Sequence, residues 1–307
     1  MGVFRTAYFG PQGTFTEQAT RILVDTDDAA ELVPMDTVPQ ALDAVRAGAV
    51  QRACVPVENS VEGAVPATLD GLADGQPLVA LAEAVLPVRF SVLTRPGCTK
   101  PRTVASHPHA LAQVREWLAT ELPEAELIAA SSTAAAAVAV RDGQYDAAVT
   151  APVAAEHYPL SLFAENVADV ADARTRFLLV SQPGELPAPT GADRTSLAAV
   201  AADRVGSLAE LLNELMLRGI NLTRIESRPT KGRLGEYRFF LDIAGHIAEQ
   251  RVGDAFAALR RRCADVRFLG SYPRADRLPA DVPETASDAD FDAAAEWLAA
   301  VRRGELA

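Results

Sequence analysis

The sequence predicts an α/β protein with two folded parts, a larger two-lobed part and a small ferredoxin-like part. From residue 5 to about 181, short β-like runs alternate with helical stretches, which is typical of α/β layers around a mostly parallel sheet. A segment rich in proline and glycine then separates this region from a second one with the order βαββαβ. These two patterns set the fold class.

The larger part is expected to form two lobes with a cleft between them. The run from residue 78 to 94 is long for one strand and can carry the chain from one lobe to the other. The β-like run from 175 to 181 can bring it back. Such a path lets the lobes close on a ligand like a hinge. We expect lobe one at about 1–80 with 165–181, and lobe two at about 81–164.

The second part follows a linker at residues 182–193, which has three prolines and two glycines in its first ten residues. We place the small domain at 194–272 and a C-terminal tail at 273–307. The leucines from Leu208 to Leu215 recur at the spacing of an amphipathic helix. The expected strands are 195–203, 221–227, 237–243 and 266–269, with helices near 252–259 and at 288–303 in the tail.

Composition narrows the function. With 307 residues, 49% of them hydrophobic, the chain can fill two or three cores, and its net charge of −12 argues against nucleic acid as a partner. Three widely spaced cysteines indicate reduced thiols and a cytoplasmic location. No metal-binding or dinucleotide-binding motif is present, and no apolar stretch reaches the length of a membrane span, so we expect no metal, no cofactor and no membrane.

Polar turns follow five of the predicted strands. In an open α/β sheet, ligands bind outside the carboxyl ends of the strands, where helix N-terminal amides also point. Any one of these turns could simply cap a helix, but five together favour a cleft that binds an anion. The turns are Gly10 to Thr14, Glu58 to Ser60, Ser106 to Pro108, Ser131 to Thr133 and Thr150 to Pro152.

Five motifs stand in order along the chain. They are Gly10 to Phe15, Pro56 to Ser60 with Glu62 and Gly63, Ser106 to Pro108, Thr175 to Phe177, and Gly219 to Thr223 continuing to Glu226 to Pro229. In this order and spacing they resemble the motifs of monofunctional bacterial prephenate dehydratases with a C-terminal ACT domain. The resemblance covers about residues 5 to 272, and it departs from the family at His109, where glutamine is common, and at Ser207, where alanine is common.

The resemblance implies a catalytic domain like a periplasmic binding protein at 1–181, followed by an ACT regulatory domain. It implies a hydro-lyase of L-phenylalanine biosynthesis that converts prephenate to phenylpyruvate with loss of water and carbon dioxide. It also implies feedback inhibition by phenylalanine, and a homodimer or homotetramer in the cytoplasm. The reaction yields an aromatic ring and needs no redox cofactor, which agrees with the motifs that are absent.

The family's catalytic motif corresponds to Thr175, Arg176 and Phe177. The resemblance implies that Thr175 donates a hydrogen bond to the departing hydroxyl, although without it Thr175 would simply begin a strand. Arg176 can offer a planar fork to a carboxylate. In a regular strand, however, it would face away from Thr175 and organise the cleft from behind. Phe177 would share the face of Thr175 as an apolar wall or a core residue.

The remaining expected substrate contacts lie at the turns. We expect Gly13, Thr14, Asn59 and Ser60 to bind carboxylate or hydroxyl groups, and Ser106 to do so less strongly because its turn is also an ordinary helix cap. A free alcohol is a very weak acid, so Thr175 would need a proton source. Candidates for that source are Glu58 and His107, which are also expected among the substrate-binding residues, His107 less strongly because it belongs to the same turn as Ser106.

For the small domain, the resemblance implies phenylalanine bound at a dimer interface. Its binding residues would be Gly206, Ser207, Leu208, Asn221, Leu222, Glu226, Ser227 and Arg228. Two alternatives stay open on sequence alone. One is arogenate dehydratase, with the same chemistry on an amino substrate; the other is a non-catalytic sensor of a small anion, which would not need the motif at Thr175.

Overall fold

The structure, a computed structural model, describes residues 4–24, 30–230, 232 and 235–305. The chain divides into two compact units, one formed by Met1–Gly71 with Glu83–Gln182 and one by Leu72–Ala82 with Pro183–Ala307. The predicted domain limits at residues 1 and 307 lie outside the described residues. So do residues 231, 233 and 234 of the polar loop expected before residue 237.

The elements up to Gln182 alternate strands and helices, as expected for an α/β fold. The strands are β1 (Phe4–Phe9), β2 (Ala30–Met35), β3 (Arg52–Asn59), β4 (Gly63–Ala64), β5 (Val79–Pro87), β6 (Ser91–Thr94), β7 (Thr103–Ser106), β8 (Glu126–Ala129), β9 (Ala147–Thr150), β10 (Ser161–Ala164) and β11 (Arg174–Ser181). The helices are α1 (Phe15–Val24), α2 (Val38–Arg46), α3 (Pro66–Ala73), α4 (Pro108–Ala112), α5 (Arg115–Glu121), α6 (Thr133–Arg141) and α7 (Ala154–His157).

Lobe one contains a sheet in which β1 pairs in parallel with β2 and β3, while β11 pairs antiparallel with β3. Helix α2 shows why the sequence folds this way. Thr37 caps its first turn through the amide of Gln40, and Ala41, Leu42 and Val45 form a fully buried stripe. The sheet edge at the carboxyl ends of β1 and β3 forms one wall of the cleft.

Lobe two is a five-stranded sheet with the order β10-β6-β9-β7-β8. Strand β7 is parallel to β8 and β9, whereas β6 is antiparallel to β9 and β10. The expectation of mostly parallel sheets is therefore wrong in detail, since both sheets are mixed. The antiparallel strands β6 and β11 are those through which the chain enters lobe two and returns to lobe one.

The predicted long run from 78 to 94 forms two strands, because the chain leaves the extended ladder between Pro87 and Ser91. The two segments that cross between the lobes lie side by side. The amide of Val88 donates to the carbonyl of Ala173 over 2.7 Å, and that of Val167 donates to the carbonyl of Phe90 over 3.0 Å. The two connections between the lobes are therefore adjacent, which is the arrangement that lets two lobes close about a hinge.

The second unit has the predicted βαββαβ order, with β12 (Asp193–Val200), α8 (Ser207–Met216), β13 (Leu222–Pro229), β14 (Tyr237–Ala244), α9 (Gln250–Arg262) and β15 (Asp265–Pro273). Its antiparallel sheet has the order β13-β14-β12-β15. Leucines of α8 and α9 pack with Leu197, Leu241 and Ile243 in one core. The tail carries helix α10 (Asp288–Arg302), capped by Ser287.

Residues 72–82 belong to the second unit, whereas the sequence placed lobe one as far as about residue 80. Ala80 pairs in parallel with Gly270 of β15. A Cβ at Gly270 would lie 2.3 Å from the carbonyl oxygen of Ala80, and its φ is +132°, so only glycine permits this approach.

None of the described helices is both long enough and apolar enough to cross a lipid bilayer.

Candidate active site

A cavity of about 510 Å³ lies between the two lobes of the first unit. Apolar and polar residues line it in nearly equal number, and the polar ones come from strand ends, turns and helices. The apolar lining comes from Phe9, Phe15, Pro56, Ala64, Val65, Pro66, Val88, Phe90, Ala110 and Phe177. The polar lining comes from Thr14, Thr16, Asn59, Glu62, His107, His109, Gln113, Ser131, Ser132, Thr133 and Thr175, with Gly63 between them.

Thr175 and Asn59 meet at the cleft because β11 and β3 pair these two residues directly. Asn59 Nδ2 donates to Thr175 Oγ1 over 2.9 Å, while Asn59 Oδ1 accepts from the amides of Val61 at 2.8 Å and Glu62 at 3.0 Å. Those two amides fix which end of the Asn59 side chain faces Thr175. Thr175 Oγ1 is thus an acceptor toward Asn59, and its own hydrogen is directed elsewhere.

Arg176 and Glu58 are the next pair along the same two strands, so they point to the opposite face. Arg176 has a side chain 7% exposed, and it forms ion pairs with Glu58 and with the buried Glu83, both at 3.2 Å. Neither Arg176 nor Glu58 lines the cavity. Arg176 therefore lies behind the cleft, which is one of the two positions expected for it. Glu58 lies there as well, away from the cavity.

Thr14 lies in the cleft wall and also begins α1. Its Oγ1 accepts from the amide of Glu17 at 3.2 Å, and Glu17 reaches back to accept from the amide of Gly13 at 2.6 Å. This reciprocal cap satisfies both amides. Gly13, expected to offer its backbone to a ligand, therefore gives that amide to Glu17 and does not line the cavity.

Ser60 and Ser106 are placed away from the cavity. Ser60 Oγ accepts from the amide of Arg174 at 2.9 Å, which ties the end of β3 to the start of β11. Ser106 is fully buried and donates to the carbonyl of Val149 over 2.6 Å. Both serines hydrogen-bond to backbone groups at strand ends. They therefore have a structural role, which is the alternative to ligand binding that the sequence leaves open for such turns.

His107 lines the cleft at the start of α4, and its Nδ1 accepts from the amide of His109 at 3.3 Å. That bond leaves the proton of the neutral ring on Nε2. Burial and the neighbouring His109 lower the pKa of His107, against an opposing effect of Glu62. His107 is therefore a neutral donor at pH 7. His109 Nδ1 lies 3.8 Å from Glu62 Oε2 across the cleft.

Sequence reasoning did not single out Gln113 or Phe90. Gln113 is buried, its Nε2 donates to Glu62 over 3.4 Å, and its Oε1 has no hydrogen-bond partner. A buried acceptor without a donor in the cleft wall is available to a ligand's hydroxyl group. Phe90 packs edge-on against Phe15, with ring centroids 5.7 Å apart. No sequence signal marks either residue, because each enters the cleft through lobe packing.

Among the described residues, the cavity lining contains no arginine or lysine. The lining groups suited to bind an anion are instead hydroxyls and the start of α6, where Ser132 caps the helix by accepting from the amide of Ala135 at 2.9 Å. Helix N-termini attract carboxylates through their free amides. Within the same described ranges, no cluster of three His, Cys, Asp or Glu side chains is arranged to hold a metal ion.

In the second unit, Asn221 and Leu222 line a cavity of about 420 Å³ at the C-terminal end of α8. Gly206, Ser207 and Leu208 lie at the other end of that helix, which at ten residues spans about 15 Å. Glu226, Ser227 and Arg228 lie further along β13 and do not line the cavity. One chain therefore does not bring the eight expected effector residues into one pocket.

Comparison with known proteins gives a consistent result. Residues 6–185 match the family described as PDT, prephenate dehydratase, and residues 195–261 match the ACT domain. A curated prephenate dehydratase of Amycolatopsis methanolica is 65% identical over 304 residues, covering 99% of each chain.

Two solved structures extend the comparison. One is prephenate dehydratase from Arthrobacter aurescens in complex with L-Phe, with TM-score 0.91 and 45% identity, covering 97% of this chain and 99% of that one. The other is GqqA, described as a novel type of quorum quenching acylase, with TM-score 0.78 and 31% identity, covering 88% and 97%. The named dehydratases are the more similar of these relatives.

Proposed function

This chain belongs to the prephenate dehydratase family, and from that premise we propose how its cleft converts prephenate to phenylpyruvate. The observation that carries the proposal is the hydrogen bond from Asn59 to Thr175, which leaves a hydroxyl hydrogen at the cavity wall. The enzyme is a carbon–oxygen lyase of L-phenylalanine biosynthesis with an ACT regulatory domain. The alternative of a non-catalytic sensor is therefore set aside.

The reaction breaks two bonds of the ring. The bond from the ring to its carboxylate breaks and releases carbon dioxide, and its electron pair enters the ring to make it aromatic. The bond from the ring to the hydroxyl breaks at the same stage, and the hydroxyl leaves as water once it has taken a proton. The protein must therefore hold two carboxylates and donate a hydrogen bond to the departing oxygen.

Thr175 supplies that hydrogen bond. Because Oγ1 accepts from Asn59, its own O–H is polarised and is a better donor toward the substrate oxygen. The proton itself comes from a stronger acid than an alcohol or a neutral imidazole. His107 supplies it as the imidazolium: its ring takes a proton from solvent at Nδ1, in place of the bond from the His109 amide, and gives the Nε2 proton to the departing oxygen. Glu58 is not suited, because it pairs with Arg176 behind the sheet.

Apolar side chains hold the ring, and helix ends hold the carboxylates. Phe15, Phe90 and Phe177 form the walls against which a flat product ring packs. Ser132 and Thr133 at the start of α6, with Thr14 and Thr16 of α1, bind the carboxylates. The free Oε1 of Gln113 accepts from the ring hydroxyl and orients it toward Thr175.

Arg176 acts as a positioning residue. Its guanidinium neutralises Glu83 behind β11, one residue from Thr175. This buried pair fixes the strand on which the catalytic hydroxyl lies. Arg176 does not line the cavity, so it does not bind a substrate carboxylate directly.

Phenylalanine inhibits the enzyme by binding at the ACT domain, and the unit that binds it is a dimer. The A. aurescens structure holds L-Phe, which supports phenylalanine as the effector. A dimer is supported by the separation of Gly206, Ser207 and Leu208 from Asn221 across α8, because a second copy can bring the two sets together. Assembly as a tetramer would be a pair of such dimers. Inhibition requires that phenylalanine bind the less active state more tightly.

A cytoplasmic location is proposed from the three free thiols, Cys54, Cys98 and Cys263, which suit a reducing compartment.

The first test is phenylpyruvate formation from prephenate by the purified protein, with and without phenylalanine, and with arogenate as the competing substrate. Activity on prephenate that phenylalanine suppresses supports the whole proposal. A preference for arogenate would replace the substrate, and no activity on either would remove the proposal. Light scattering on a size-exclusion column measures the oligomeric state, and a monomer in the presence of phenylalanine would contradict the shared effector site.

A further inference from the structure

A further set of contacts joins the two lobes, apart from the crossing segments at residues 88–90 and 167–173 and the contacts of Glu62 with His109 and Gln113. The turn before α1 and helix α1 itself, both in lobe one, contact α7 and Tyr158 in lobe two. Thr14, Phe15 and Thr16 belong to the same stretch of lobe one and line the cleft. Contacts at this place therefore bear directly on the cleft wall.

Glu17 lies at the centre of these contacts and is only 2% exposed. Its Oε2 accepts from the amide of Gly13, and its Oε1 accepts from Arg21 at 2.6 Å. His157 Nε2 lies 3.0 Å from the same Oε1. A buried carboxylate needs such partners, and the one supplied by lobe two is His157.

His157 Nε2 also lies 3.2 Å from Arg21 Nη2. When Nε2 carries a proton it donates to Glu17, and when it carries none it accepts from Arg21. In both forms the ring is held by a charged group of α1. Arg21 further lies 3.6 Å from Glu156, the preceding residue of α7.

Tyr158 adds a contact with the turn itself. Its hydroxyl donates to the carbonyl of Gln12 over 2.9 Å. A Cβ at Gly13 would lie 3.2 Å from Ala154 and from the Tyr158 ring, so the turn packs directly against lobe two. Together with the contact between Glu17 and His157, this contact joins the turn and α1 to lobe two.

We propose that Glu17, His157 and Tyr158 form an interlobe clasp that holds Thr14 and Phe15 against lobe two in the closed cleft. They are positioning residues for substrate binding, and the inference rests on the proposed dehydratase function. Opening about the crossing segments would move α7 away from α1 and break the contacts of His157 with Glu17 and of Tyr158 with Gln12, while the bonds of Glu17 to Gly13 and Arg21, within lobe one, would remain. Thr175 and Asn59 both belong to lobe one, so their hydrogen bond survives opening. The clasp therefore governs KM for prephenate more than kcat.

Two exchanges at His157 and one at Tyr158 test the clasp. Glutamine places its terminal amide near the position of Nε2, whereas asparagine reaches only as far as Nδ1. We expect His157→Asn to raise KM about tenfold with kcat changed less than about threefold, as for the loss of one charge-assisted hydrogen bond. We expect His157→Gln to restore most of the KM. Tyr158→Phe, which keeps the ring and loses only the hydroxyl, should raise KM about threefold to tenfold.

Asp146→Asn is the matched control. Asp146 accepts from the amides of Arg102 and Thr103 and pairs with Arg95, and all of these partners lie in lobe two. This control should lower the melting temperature without raising KM. The inference is overturned if KM is unchanged in His157→Asn and Tyr158→Phe, if glutamine does no better than asparagine, or if the control raises KM equally. The wild-type assay judges the dehydratase function separately.

Discussion

Asn59 donates its side-chain N–H to Thr175 Oγ1 over 2.9 Å, and two backbone amides hold the other end of the Asn59 side chain. The direction of this bond decides the chemistry available to Thr175. An oxygen that accepts from Asn59 has its own hydrogen free for a ligand at the cavity wall. The bond from Asn59 therefore leaves the Thr175 hydroxyl as a hydrogen-bond donor toward the cavity. It also links the catalytic motif of β11 to the turn after β3.

Removal of the Thr175 hydroxyl should reduce turnover. We expect Thr175→Ala to lower kcat about 100-fold or more with KM changed less than about threefold, because the hydrogen bond to the departing oxygen matters most in the transition state. Thr175→Ser keeps the hydroxyl and should retain a large part of kcat. Steady-state phenylpyruvate formation measures both. Near-normal turnover in Thr175→Ala would remove Thr175 from the mechanism.

The direction of the Asn59 bond can be reversed by one exchange. Asn59→Asp keeps an acceptor for the amides of Val61 and Glu62, but its second oxygen would draw the Thr175 hydrogen away from the cleft. We expect kcat to fall about tenfold or more. In a protein that already carries Thr175→Ala, the Asn59→Asp exchange should lower kcat little further, because Asn59 acts through Thr175. Additive losses in this double-mutant cycle would show that Asn59 acts on its own.

Arg176 should matter for stability as well as activity. Arg176→Met leaves Glu83 buried without this partner, which we expect to lower the free energy of unfolding by about 3–5 kcal/mol. Adding Glu83→Gln should recover part of the loss. As a control, Arg5→Met breaks the exposed pair with Glu31 and should cost less than about 1 kcal/mol. Urea unfolding of the wild type and the three variants measures these losses, and equal losses for Arg176→Met and Arg5→Met would contradict the buried pair.

His107 should make stability depend on pH. Burial and His109 lower its pKa in the folded protein below the ordinary value of 6.5. The unfolded chain then takes up a proton at higher pH than the folded one, so this contribution is full above about pH 6.5 and is lost as the pH falls through the folded pKa. Wild type should lose more melting temperature than His107→Gln between pH 7.5 and pH 5. Parallel melting curves would contradict the lowered pKa.

Exchanges in the ACT domain should separate regulation from catalysis. We expect Asn221→Ala, Ser227→Ala and Arg228→Ala to weaken inhibition by phenylalanine while basal activity is largely kept, because these residues lie outside the catalytic unit. Arg260→Ala, on the exposed side of α9, is the control and should leave inhibition unchanged. The inhibition curve of each variant gives the measurement. If all three keep wild-type inhibition, the effector site lies elsewhere.

Much of the site could be predicted because its signals are local. Thr175 and Asn59 each lie at a strand end, and alternation along β3 and β11 makes adjacent residues face opposite sides. Alternation along β11 predicts that Arg176 faces away from Thr175, and the same alternation along β3 places Glu58 on the face opposite to Asn59, behind the cleft. Capping residues were harder to judge, since Ser60 and Ser106 have the same turn signals as Thr14 yet bond to backbone groups outside the cavity.

By itself, the sequence determined the order of the elements, the βαββαβ second unit and the strand-end turns that form the cleft, because hydrophobic periodicity and turn residues act over a few neighbours. Only the tertiary structure decided that Arg176 pairs with Glu83, that Gln113 and Phe90 enter the cleft, and that Glu17 meets His157. These contacts join residues far apart in the sequence: Arg176 and Glu83 are 93 positions apart, and Glu17 and His157 are 140 (157 − 17). Their partners are set by how strands pair and lobes pack, which no local pattern encodes.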